Sequence, residues 1–89
     1  MEPKTAILVV EDETAIRTGI CDLLGFHGYE PHGVATGEDG LRCALDGGFA
    51  LVVLDVMLPG IEGFAVASRM RAKGWLTPIL MLTARGRAV

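Results

Sequence analysis

At 89 residues the chain has room for one domain, and at that size folding buries only roughly 60–65% of the unfolded surface, so the core must be efficient. A hydrophobic share of 51% beside 21% charged residues excludes a disordered tail, and no apolar run approaches the ~18 residues of a membrane helix. The net charge of −3 hides an asymmetry: residues 1–63 carry all 11 acids and three bases, a net of −8, while 64–89 carry five bases and no acid, a net of +5.

That basic end invites a nucleic-acid reading. Arg69, Arg71 and Lys73, however, fall where a helix ends, and cations there complement its dipole. No aromatics are interleaved with them, so DNA contact by this chain is not expected. The N-terminus MEPKTAILVVEDE lacks a signal-peptide pattern, and the expected location is the cytosol. Cys21 and Cys43 form no CxxC pair and fall inside predicted helices. They are expected to be small buried thiols and not a disulfide.

In chain order, Thr5 to Val10 is a continuous apolar run, which predicts a strand buried on both faces. It ends in Glu11-Asp12-Glu13. Helical spacing follows, with Ile16, Ile20, Leu23 and Leu24 as the predicted inward stripe and Gly28 as the stop. Tyr29 to Val34 contains Pro31 and Gly33, which places it at the edge of a sheet. Thr36 is the predicted N-cap of a helix through Leu41, Ala44 and Leu45, which Gly37 and Gly40 should weaken and Gly47-Gly48 should end. The run Ala50 to Leu54 leads without a polar break into Asp55 and then, past Leu58, into a Pro59-Gly60 turn. Phe64 to Lys73 forms the third helix, with Val66, Ala67 and Met70 inward and Gly74 as its stop. Pro78 opens PILML, a fourth strand ending at Thr83-Ala84.

The order β-α-β-α-β-α-β, with right-handed crossovers, predicts an α/β fold: a doubly wound parallel sheet of order 2-1-3-4. Ligands of such sheets sit outside the carboxyl ends of the strands. Neighbouring strands lie about 4.8 Å apart, so the ends of strands one and three should bring Glu11, Asp12 and Asp55 together. Three converging carboxylates repel one another, which is resolved by a raised pKa or a bound cation. Oxygen ligands in a partly open site suit Mg²⁺. Thr83, at the end of the adjacent strand, adds a hydroxyl to the same rim. A carboxylate nucleophile, a metal and a hydroxyl are the parts needed to accept a phosphoryl group as an aspartyl phosphate. A single acid at a strand end is more often merely solvated; three with a threonine are harder to dismiss.

The pieces ILVVEDE, LVVLDVMLPGIEGF and TPILMLTAR, in this order and spacing, resemble a response-regulator receiver domain of bacterial two-component signalling. The resemblance runs from Ala6 to Arg85. It implies a flavodoxin-like sheet, Asp55 as phosphoacceptor, Glu11 and Asp12 as the acidic pair for Mg²⁺, and a backbone carbonyl from Met57 on the metal. It implies Thr83 as the hydroxyl that meets the phosphoryl group, with small Ala84 leaving access. The implied donor is a phosphohistidine on a sensor histidine kinase or phosphotransfer protein, and the wording resembles receivers fused to winged-helix DNA-binding domains. Such a domain assists its own phosphorylation and dephosphorylation and is not a classical enzyme. The family also carries a lysine-bearing fifth strand and further helices that the 89 residues do not include. On that basis the chain is expected to be one incomplete receiver domain, 1–89, whose fourth strand offers an edge for self-association.

Other chemistries fit less well. A haloacid-dehalogenase-type phosphatase needs a second aspartate two residues past the first, where Met57 stands. An FMN carrier needs a phosphate-cradling loop after strand one, where EDET repels phosphate without a metal. A receiver-like module that binds partners without being phosphorylated is the remaining alternative.

Overall fold

The computed structural model of the chain describes residues 3–58 and 60–82. Its elements run β1 (Ala6–Val10), α1 (Thr14–Phe26), β2 (Glu30–Val34), α2 (Gly37–Asp46), β3 (Leu51–Asp55), α3 (Gly63–Ala72) and β4 (Ile79–Leu82). All strand pairs are parallel and the sheet order is β2-β1-β3-β4, as the sequence predicts. The two uninterrupted apolar runs, β1 and β3, sit side by side at the centre, with Val10 opposite Leu54. β2, which carries Pro31, lies at the edge, where a missing N–H costs no ladder bond on its outer side.

Side chains alternate across a strand, so each central strand feeds both faces of the sheet. Leu8, Val10, Val52 and Leu54 pack with Ala44 of α2 and with Val66 and Met70 of α3 in one cluster. Ile7, Val9 and Val53 form the other, against Ile20, Cys21 and Leu24 of α1. Thr36 caps α2, its hydroxyl accepting the Asp39 N–H at 3.1 Å. Gly28 and Gly74, both with positive φ, come just after His27 and Lys73, the C-caps of α1 and α3, where such a glycine lets the chain leave a helix.

Two expectations are corrected and one is extended. The inward stripe of α1 is not Ile16-Ile20-Leu23-Leu24. Ile16 is 40% and Leu23 60% exposed, and the residues turned to the sheet are Arg17, Ile20, Cys21 and Leu24. The apolar residues at 16 and 23 could not both share a face with 20, 21 and 24 once Arg17 turned inward. Gly37 and Gly40 are more than weak points of α2. A Cβ on Gly40 would stand 2.7 Å from a Val10 methyl, so its absence lets α2 lie close on β1. Cys21 and Cys43 lie in helices as expected but are only half-buried.

Candidate functional site

The β1–β3 register, continued one step past Val10 and Leu54, sets Glu11 opposite Asp55. Both are of the parity that faces α1, so their carboxylates project to the same side at the carboxyl end of the sheet. Glu11 is 7% and Asp55 5% exposed, the two buried charged residues among those described, while Asp12 is exposed. One carboxylate oxygen from each of Glu11, Asp12 and Asp55 lies within 4.8 Å of the others. The three acids singled out in the sequence therefore do converge.

The main chain holds this rim in several places. Glu11 N–H donates to the Val34 carbonyl at 3.1 Å, tying the end of β1 to β2. Glu13 N–H donates to Glu11 Oε2 at 3.0 Å, and Met57 N–H donates to Asp55 Oδ1 at 3.1 Å. Val56 N–H reaches the Leu82 carbonyl at 2.8 Å, and Gly63 N–H the Val56 carbonyl at 2.9 Å, so the chain doubles back on itself before α3. Gly63 is required there. A Cβ on it would collide with the Asp55 carbonyl oxygen and stand 2.9 Å from Val56 Cα.

Crowding shows in the electrostatics. Burial pushes the Glu11 carboxyl up to about 7, helped by the neighbouring Asp12 and Asp55 carboxylates and opposed by the Glu13 N–H. Among the described residues no side-chain cation pairs with any of the three acids; the one ion pair there is Arg42–Asp39 on α2. An oxygen-only, anionic, half-open cluster with two N–H donors and no cation has the donor set of a hard divalent ion. The residues fit Mg²⁺.

Met57 places its amide on Asp55 and leaves its side chain 64% exposed, so its contribution at the rim is main-chain. Thr83 and Ala84 lie outside the described residues, as does Pro59; Leu82, just before Thr83, is the register partner of Asp55. Sequence reasoning missed Gly63 and Arg17. Arg17 was legible only as a charge breaking the 17-20-21-24 helical spacing.

This fold and this acidic rim define a receiver. The chain belongs to the response regulator receiver domain family, whose model matches residues 7–89. It is 49% identical over 80 residues to the transcriptional regulatory protein TcrA of Mycobacterium tuberculosis, covering 90% of this chain and 32% of that protein. A crystal structure of the response regulator protein TrrA from Thermotoga maritima in complex with Mg(2+)-BeF is 40% identical. It superposes with a TM-score of 0.83 over 90% of this chain and 70% of that one. TrrA in complex with the histidine kinase ThkA gives a TM-score of 0.85 at 38% identity, covering 93% of this chain and 72% of that one. The chain spans about a third of the length of the curated relatives it matches. No helix among the described residues is long and apolar enough to cross a membrane.

Proposed function

We propose that Asp55 is a phosphoacceptor: it takes a phosphoryl group from a phosphohistidine of a sensor histidine kinase or phosphotransfer protein and relays the signal to an output function. The observation that carries this reading is the buried Asp55 at the end of the central strand, held by the Met57 N–H and joined by Glu11 and Asp12 within 4.8 Å. A nearly buried carboxylate among two others is a poor structural element and a good nucleophile once the charge around it is balanced.

In this reading one oxygen of Asp55 is fixed by the Met57 N–H and the other attacks phosphorus. The new O–P bond forms as the P–N bond to the donor imidazole breaks. Glu11, Asp12, Asp55 and the Met57 carbonyl would hold Mg²⁺, which supplies positive charge against the phosphoryl oxygens. Glu11 must lose its proton for that role, because the burial that raises its pKa disfavours the form that binds a cation. Thr83, one residue past the β-partner of Asp55, supplies the hydroxyl for a phosphoryl oxygen. The Mg(2+)-BeF complex of TrrA and its complex with ThkA support both the metal and the kinase, and the transcriptional regulatory relatives support an output in gene control.

The test is mass spectrometry of the protein incubated with Mg²⁺ and a small acyl-phosphate donor. One phosphoryl group should add to the wild type and none to Asp55→Asn, since an amide is no nucleophile here. Labelling that persists in the Asn variant would move the acceptor elsewhere.

A further inference from the structure

The inward stripe of α1 contains a guanidinium where an apolar residue would be expected. Arg17 turns toward the sheet beside Ile20, Cys21 and Leu24, yet it makes no ion pair with a carboxylate among the described residues. Its donors go to main chain instead. One terminal nitrogen, Nη1, donates to the Glu11 carbonyl at 2.9 Å and lies 3.4 Å from the Asp12 carbonyl. The other, Nη2, reaches Thr14 Oγ1 at 3.5 Å. Three carboxylates stand close by, and a guanidinium bound to any of them would occupy the oxygens that a cation needs.

The strand beneath makes room for this side chain. A Cβ on Gly33 of β2 would lie 3.1 Å from Arg17 Cγ and 3.2 Å from its Cδ, so the methylene stem lies directly over the glycine. Gly33 also sits next to Val34, whose carbonyl takes the Glu11 N–H. Together the contacts grip the 11–12 peptides from two sides: β2 through the amide of Glu11, and α1 through the carbonyls of Glu11 and Asp12.

We propose that Arg17 is a positioning residue for the acidic rim. By holding these carbonyls it fixes the peptide planes from which the Glu11 and Asp12 side chains leave, and so keeps both carboxylates turned toward Asp55 against their mutual repulsion. A lysine could supply the charge but only a point donor; the planar fork is what spans two successive carbonyls and a hydroxyl. The inference rests on the reading of the rim as a cation site.

The experiment compares wild type with Arg17→Met, which keeps the stem over Gly33 and removes every donor, and with Arg17→Lys. Mg²⁺ affinity is read by titration, and amide hydrogen exchange is read in metal-free protein. Arg17→Met should bind Mg²⁺ about three- to tenfold more weakly, the range of an ordinary hydrogen bond net of its exchange with water, since this site is partly exposed. Arg17→Lys should fall between. Exchange at Glu11 and Glu13 should quicken in Arg17→Met while Val9 and Val53 in the strands stay protected. Mg²⁺ affinity within twofold of wild type in Arg17→Met would overturn the proposal, as would exchange that rises alike throughout β1 and α1. If wild type itself binds no Mg²⁺, the cation reading fails. Exchange at Glu11 and Glu13 then decides Arg17 alone: faster in Arg17→Met supports its hold on the loop, unchanged refutes it.

Discussion

The two faces of the sheet are built differently although the same two strands feed both. On the face of α2 and α3, nine buried residues interlock, among them Leu8, Leu54, Val66 and Met70 at 0% exposure. On the face of α1 the buried apolar residues among those described are Ile7, Val9 and Val53, and no residue of α1 itself is buried. The acidic rim belongs to the thin face by parity: Glu11 continues the 7-9 row, and Asp55 continues from Val53. Among the described residues, then, the larger apolar cluster lies on one side of the sheet and the acidic rim on the other. The lesson is physical. Three crowded carboxylates are accommodated at the ends of the central strands, beside the interlocked apolar cluster and not within it, because buried charge is costly where only apolar side chains surround it.

The largest effects should follow from breaking the thick face. Leu54→Ala or Met70→Ala removes a fully buried side chain and leaves a cavity, so each should cost about 2–5 kcal/mol in denaturant unfolding. In a domain this small that is a large part of the whole stability. A loss below about 1 kcal/mol for both would mean the two faces are not as unequal as described.

A smaller effect, specific to the thin face, is set by Glu11. Its folded-state pKa, about 7, lies above its ordinary value of 4.5. The folded protein therefore holds this proton more tightly than the unfolded chain does. That contribution to stability is complete below about 4.5 and is lost as pH rises through about 7. Metal-free wild type should lose melting temperature relative to Glu11→Gln across this window, and the gap should close when Mg²⁺ is added near the top of it. A gap independent of pH would show that Glu11 does not titrate where its surroundings place it.

The smallest effect is expected on the outside of α1. Leu23→Ala, at 60% exposure, should change stability by no more than about 0.5 kcal/mol, although the residue has the hydropathy of a core position. A cost of 2 kcal/mol would restore the stripe that its sequence suggests.

That stripe marks where the sequence stops being legible. Strands β1 and β3 read directly, because uninterrupted Val and Leu runs have one stable place in a parallel sheet. The edge position of β2 follows from Pro31, and the α2 cap from Thr36, each a local backbone requirement. Glu11, Asp12 and Asp55 were legible because they terminate those central strands and topology does the rest. The rotation of α1 was not legible. Ile16 and Leu23 are as apolar as Ile20 and Leu24, and an arginine is read as solvent-facing unless its tertiary partners are known. Those partners are carbonyls, which no sequence pattern advertises. Gly63 was equally silent: it looks like any loop glycine until the Asp55 carbonyl is seen against it.

The central claim, that Glu11, Asp12 and Asp55 form one cation site at the end of the sheet, is tested most directly by titrating the protein with Mg²⁺ and following backbone amide resonances. Saturable shifts should appear at residues 11–13 and 55–57, with Asp12→Ala weakening the binding more than Glu11→Ala, since Asp12 is the solvent-exposed acid and, among the described residues, no N–H donates to its carboxylate. If those resonances stay unmoved while the sheet remains folded, the three carboxylates are neighbours and not a site.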